Sequence, residues 1–159
     1  MNIKIRAATV DDATKLLKIY SYYVENTAVS FEYEIPTLDE FKSRITHILE
    51  KYPYLVADCE GKIVGYAYAN AFKDREAYKF SVELTIYLEK DYRGRGIGKK
   101  LYTALEYELN MRGIKNLYAC IAFAEVEDEF LTLASVKFHE RLGFKICGKF
   151  TNCGFKFNR

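Results

Sequence analysis

The sequence predicts an α/β fold (α+β under a stricter label), a single domain over residues 1–159 in which a mixed sheet is flanked by helices. Three observations carry that prediction. Strand-like runs with alternating residues and helix-like runs with apolar residues three or four apart follow one another in the order β-α-α-β-β-β-α-β-α-β. A basic glycine-rich turn, Arg93-Gly94-Arg95-Gly96-Ile97-Gly98, follows the strand-like run 82–88 and opens an amphipathic helix, so it sits at the carboxyl end of a strand, where open sheets place their ligands. The length of 159 residues, 50% apolar and 16% aromatic, suffices for one substantial core and shows no break in composition that would mark a second domain.

Residues 2–7 alternate as a short strand. Thr9, with Asp12 three positions on, forms a capping box that opens a helix to about Asn26, with Ala13, Leu16, Leu17 and Tyr20 as its apolar stripe. A loop over 27–36 carries Phe31 and Tyr33. Thr37 and Glu40 form a second capping box, and Phe41, Ile45, Ile48 and Leu49 keep helical spacing to about Lys51. Segments 54–59 and 62–72, joined by Glu60-Gly61, read as a hairpin in which Gly61 supplies a positive φ. A polar connection over 73–79 leads to a strand over 80–88, with Ser81, Glu83, Thr85 and Tyr87 on one face and Val82, Leu84, Ile86 and Leu88 on the other. The next helix has Ile97, Leu101, Leu105 and Leu109 at i, i+4 spacing and ends at Gly113. A strand over 116–122, a solvated acidic loop at 125–129, a short helix over 132–142 stopped by Gly143, and a last strand beginning over 144–150 complete the order.

The formal charge of +2 is too small to make nucleic acid or a membrane surface the main partner, and the cationic residues gather in one turn, which suits a small anionic ligand. Cys59, Cys120, Cys147 and Cys153 lack C-x-x-C spacing, and with only His47 and His139 beside them no metal site is expected. Neither a signal-like start nor an apolar run long enough to span a bilayer is present, so the chain reads as cytoplasmic with reduced thiols.

The glycine turn is built to hold a phosphate. Glycines let the backbone approach a ligand, the first N–H groups of the helix have no intrahelical acceptor, and the helix dipole favours an anion there. A P-loop would need G-x-x-x-x-G-K-[ST], but Arg93 stands five before Gly98, and Lys100 follows Lys99 where a hydroxyl is required. A dinucleotide fingerprint, G-x-G-x-x-G, would need a small residue where Lys99 stands. The pattern [RQ]-x-x-G-x-[GA] fits through Arg93, Gly96 and Gly98, and it resembles the acetyl-CoA pyrophosphate loop of the GNAT superfamily of N-acetyltransferases.

The late F-H-E-R-L-G-F stretch (138–144) and the order of elements carry the same resemblance. Segments N-T-A-V-S-F-E (26–32), Y-P-Y-L-V-A (52–57), G-Y-A-Y-A (65–69), F-K-D-R-E-A-Y (72–78) and S-V-E-L-T-I-Y (81–87) narrow it to the phosphinothricin, or methionine sulfone and sulfoximine, N-acetyltransferases, over nearly the whole chain. The resemblance implies a mainly antiparallel central sheet, a homodimer, and acetyl transfer from acetyl-CoA, without a metal, to the α-amine of a small amino-acid-like substrate by direct attack in a ternary complex. It gives Glu83 the role of general base, directly or through a water, and His139 that of proton donor to the CoA sulfur. It places the backbone of Thr85, Ile86 and Tyr87 beside the pantetheine arm, Arg93, Gly94, Arg95, Gly96, Ile97 and Gly98 around the pyrophosphate, and Ser135 as a further contact. Lys73 and Arg75 resemble an anion-recognising pair for the acceptor, with Phe31 and Glu32 lining the same pocket.

Without the resemblance, Glu83 reads equally as a solvated strand residue, His139 as a packed helix residue and Lys73/Arg75 as an ordinary charged loop. Two departures from the group stand out. Thr132 precedes Ser135 where the group has Asn in an N-x-x-S arrangement, and the chain stops at Asn158-Arg159 where the group continues through a W-x-D stretch into a final strand. The expectation is therefore an incomplete sheet edge and acceptor pocket. The alternatives are an acetyltransferase of the same fold acting on a polyamine or a protein N-terminus, a non-catalytic acyl-CoA-binding protein and, weakest, a basic nucleic-acid-binding module.

Overall fold

Five strands, β1 (Ile3–Ala7), β2 (Tyr54–Cys59), β3 (Lys62–Ala71), β4 (Ser81–Leu88) and β5 (Asn116–Tyr118), lie side by side in chain order in a computed structural model that describes residues 2–159. Pairing is antiparallel from β1 to β4 and parallel between β4 and β5, so the sheet is mixed and mainly antiparallel. The helices are α1 (Ala13–Asn26), α2 (Leu38–Leu49), α3 (Ile97–Met111) and α4 (Ala134–Arg141).

Local chemistry explains where these elements start. The Asp12 carboxylate accepts from the Thr9 N–H at 2.9 Å and takes both arms of the Arg6 guanidinium at 2.8 and 2.9 Å, which fixes the 3-10 turn that leads into α1. Thr37 Oγ1 accepts from the Glu40 N–H at 3.2 Å and opens α2. Between β2 and β3, Glu60 (φ 55°) and Gly61 (φ 91°) are both left-handed, the two-residue turn whose twist matches a hairpin, and Gly61 N–H donates to Asp58 Oδ1 at 2.7 Å. At Gly65 a Cβ would come 2.3 Å from Leu88 Cδ2, so only glycine lets β3 and β4 close there.

The described chain packs as two compact units, one comprising the chain up to Tyr20 with Pro36–Cys120, the other Ser21–Ile35 with Ile121–Arg159. In the first unit α3 covers one face of the sheet, and its Ile97, Leu101, Leu105 and Leu109 are buried, each contributing about 1.5–3 kcal/mol by leaving water. On the other face Tyr54, Tyr66 and Tyr68 stack, and Tyr87 meets Tyr20 of α1 edge-on at 5.2 Å, with Phe41 of α2 behind it. The second unit holds α4 and is tied by an Ala28 N–H to Phe130 carbonyl bond of 2.9 Å.

Three boundaries differ from expectation. The strand expected over 116–122 ends at Tyr118, and the late helix occupies Ala134–Arg141 rather than 132–142. The strand expected over 144–150 is irregular chain, with Ile146 and Phe150 exposed. Its alternation is real, but a strand exists only where a neighbouring backbone accepts its ladder, and no strand is present among the described residues of that unit.

Candidate active site

Glu83 occupies the middle of the face that alternation predicted. It is half-buried on β4, its register partner on β3 is Asn70, and on β5 it is Tyr118. Tyr118 stacks on Phe72 at 4.4 Å, and Phe72 meets Tyr78 edge-on at 5.9 Å, so an aromatic corner stands beside the carboxylate. Asn70 and Tyr118 were not legible in the sequence as neighbours of Glu83, because register across a sheet is a long-range property. Pairing between β4 and β5 covers only Ser81 to Glu83 and stops there, while β3 continues to pair with Thr85, Ile86 and Tyr87.

The glycine turn has the form a phosphate requires. Gly94 (φ 71°) and Gly96 (φ 77°) are left-handed, and at each of them a Cβ would meet nothing within 4 Å, which leaves an open cradle. Gly96 immediately precedes α3, and the first helical bond runs from the Lys100 N–H to the Gly96 carbonyl at 3.2 Å, so the N–H groups of Ile97, Gly98 and Lys99 lie ahead of the helical ladder. Arg93, Arg95, Lys99 and Lys100 are exposed around it, with Arg95 5.2 Å above the Tyr92 ring. Backbone donors, a dipole and four cations fit the pyrophosphate of acetyl-CoA.

Lys73 and Arg75 are exposed in the connection from β3 to β4. Lys73 Nζ sits 5.4 Å from the Phe72 ring, which joins it to the aromatic corner beside Glu83, while Arg75 precedes the 3-10 turn Glu76–Tyr78. An open cavity of about 890 Å³ lies on the α3 face, lined by Ile5, Leu55, Gly96, Lys99 and Tyr107 among others. It carries none of the expected acceptor residues, so the chemistry is placed by the Glu83 face and not by this volume.

In the second unit His139 is buried in α4. Its Nδ1 donates to the Ser135 carbonyl at 2.7 Å, and its ring meets Phe138 and Phe144 edge-on at 5.1 and 5.2 Å. Burial holds the imidazole below its ordinary value of 6.5, with the Ser135 bond partly opposing the shift. Ser135 is half-buried and Thr132 Oγ1 accepts from Ala134 N–H at 3.4 Å. The acidic loop is more than solvated surface: Glu127 Oε1 accepts from Leu133 N–H at 2.6 Å just ahead of α4, and Asp128 Oδ1 accepts from the N–H groups of Phe130 and Leu131 at 2.8 Å each. Phe31 is exposed and Glu32 half-buried on the loop after α1. Among the described residues no cluster of three potential metal ligands occurs, and no helix is long and apolar enough to cross a membrane.

Comparison with known proteins agrees with this layout. The family model described as an acetyltransferase (GNAT) domain matches residues 5–159. Phosphinothricin N-acetyltransferase of Streptomyces viridochromogenes is 33% identical over 154 residues, covering 97% of this chain and 80% of that protein. The L-methionine sulfoximine/L-methionine sulfone acetyltransferase of Pseudomonas aeruginosa is 34% identical over 161 residues, covering 100% of this chain and 90% of that one. Among solved structures, a GNAT superfamily phosphinothricin acetyltransferase from Sinorhizobium meliloti in complex with AcCoA superposes with a TM-score of 0.91 at 36% identity, covering 100% of this chain and 83% of the other. With the sheet, the glycine turn and these matches together, the chain belongs to the GNAT acetyltransferase family.

Proposed function

We propose that this chain, working as one domain, transfers the acetyl group of acetyl-CoA to the α-amine of a small amino-acid-like substrate of the phosphinothricin or methionine sulfone and sulfoximine type. The observation that carries the reading is Glu83, half-buried between Asn70 and Tyr118 on the strand that leads to the glycine turn. The relatives named for those substrates support the choice of acceptor.

An ammonium has no lone pair to donate, so the amine must first lose a proton, and Glu83 takes it directly or through a water. The freed amine then attacks the thioester carbon. A nitrogen–carbon bond forms, the carbon–sulfur bond breaks, and the departing sulfur is protonated. Backbone groups of β4 at Thr85 to Tyr87, beyond the end of β5 pairing, accompany the pantetheine arm, and residues Arg93 to Gly98 hold the pyrophosphate, with Ser135 as a further contact. Lys73 and Arg75 bind the acceptor's carboxylate or phosphinate, a task suited to a guanidinium's paired donors. Phe31 and Glu32 also contact the acceptor. His139 is the weaker candidate for donating the proton to sulfur: its Nδ1 hydrogen is committed to Ser135, and burial opposes the protonated form that an acid needs.

The likeness to that group also supports a cytoplasmic homodimer whose partners are small molecules, with no metal, nucleic acid or membrane required; light scattering checks the dimer. The test of the reaction is thiol release from acetyl-CoA with phosphinothricin, methionine sulfone, methionine sulfoximine, polyamines and N-terminal peptides, run in parallel with Glu83→Gln. Turnover on the amino-acid analogues that collapses in the variant supports the reading. Binding of acetyl-CoA without turnover on any amine overturns it in favour of a non-catalytic acyl-CoA-binding protein.

A further inference from the structure

We propose that Lys156 is a positioning residue for the acceptor, its ammonium serving as the hub on which the loop carrying Phe31 and Glu32 is wound. The proposal rests on the acceptor role given above to those two residues.

Lys156 is 8% exposed, and its Nζ donates to the carbonyls of Val24 at 2.7 Å, Thr27 at 3.0 Å and Ser30 at 2.9 Å. An ammonium has three hydrogens, and all three are committed to backbone oxygens. The Val24 carbonyl lies in the last turn of α1, where carbonyls run out of intrahelical donors and the helix dipole favours a cation. The Thr27 and Ser30 carbonyls lie in the irregular loop that follows, so a single side chain ties the helix end to two successive points of the loop.

The loop's own side chains complete the winding. Thr27 Oγ1 donates to the Tyr23 carbonyl at 2.7 Å and accepts from Val29 N–H at 3.2 Å, and Ser30 Oγ accepts from Glu32 N–H at 3.2 Å. Carbonyls 24, 27 and 30 converge on the ammonium, and Phe31 stands exposed. The Glu32 carboxylate opposes the depressing effect of burial on the Lys156 ammonium, which links the candidate acceptor residue electrostatically to the hub. The segment that carries Lys156 also limits Phe31 directly: a Cβ at Gly154 would come 2.3 Å from Phe31 Cε2, and the Tyr33 hydroxyl donates to the Phe155 carbonyl.

A neutral side chain of the same length would leave three carbonyls facing one another with no shared donor. They would turn toward water and unwind the loop, moving Phe31 and Glu32 without touching the glycine turn.

The test compares Lys156→Met and Lys156→Arg with the unaltered protein, measuring KM for the acceptor, KM for acetyl-CoA, kcat, and hydrogen exchange at the amides of Val29 and Glu32. In Lys156→Met the acceptor KM should rise about tenfold while kcat and the acetyl-CoA KM stay within about twofold, the split that marks lost positioning of one substrate. The Val29 and Glu32 amides should exchange faster, those of β2 and β3 should not, and Lys156→Arg, which keeps the charge, should restore part of both effects. An unchanged acceptor KM with only a lower Tm overturns the proposal, as does failure of both variants to fold, because Lys156 would then serve stability alone. Should the unaltered protein acetylate no amine, the acceptor reading fails separately, and exchange still decides the hub: unchanged Val29 and Glu32 amides in Lys156→Met overturn it.

Discussion

β4 and the chain beyond Cys120 place their candidate residues by different means. Glu83 is positioned by backbone, with Asn70 across from it on β3 and Tyr118 on β5, and no single side chain determines where it stands. In the second unit irregular chain predominates, and single side chains organise the backbone: Asp128 collects the N–H groups of Phe130 and Leu131 and pairs with Arg159, Glu127 takes the Leu133 N–H, and Lys156 gathers three carbonyls. A ladder spreads the work over many equivalent bonds, so it tolerates change at any one side chain. A hub concentrates it, so one substitution can move a whole loop.

The sharpest test of this contrast is Glu83→Gln, which should lower kcat by about 10²- to 10⁴-fold, the range for losing a general base, with Tm and acetyl-CoA affinity unchanged. Steady-state thiol release with parallel calorimetry reads both, and a loss of stability of similar weight would show that β4 depends on its side chains after all. Next in size, Asp128→Ala should cost about 1–2 kcal/mol in urea unfolding, as losing a cap does, against less than about 0.5 kcal/mol for Ser81→Ala on β4. Equal costs would erase the difference between the regions. Gly96→Ala places a Cβ at φ 77° and should cost about 1 kcal/mol of backbone strain, seen in calorimetry as acetyl-CoA binding weakened about fivefold; an unchanged affinity would show that the turn adapts.

The smallest effect concerns His139. Its imidazole is held below 6.5 in the folded chain, so the unfolded chain binds its proton more readily, and stability should fall as pH drops through the region just below 6.5 and be level above it. Thermal melts of His139→Gln should lack that slope. Asp12 titrates in a separate window: the Arg6 bond holds its carboxyl below 3.8, so its contribution is present above that pH and lost as pH falls beneath it.

What the sequence revealed divides along the same line. Capping at Thr9 and Thr37, the Glu60-Gly61 turn, the alternation that puts Glu83 and Thr85 on one face, and the left-handed glycines of the phosphate turn all depend on residues a few positions apart, and all were legible. The two neighbours of Glu83 were not, since they depend on strand register. Residues 144–150 alternate like a strand yet find no partner backbone, so periodicity misled there. Lys156 could have been suspected from its place between Phe155 and Phe157, an odd setting for a solvated cation, but its three acceptors lie more than a hundred residues earlier in the chain and no local pattern points to them.

The agreement between strand order and chain order bears on how the sheet assembles. β2 and β3 meet across a two-residue turn, and β4 returns to β3 after a short connection, so this meander closes with little loss of chain entropy. β1 must reach β2 across α1 and α2, a longer closure that gains its contacts only once β2 is in place. The nucleus is thus biased toward the middle of the polypeptide, and the amino-terminal strand is biased to dock late and to fray first under force or heat.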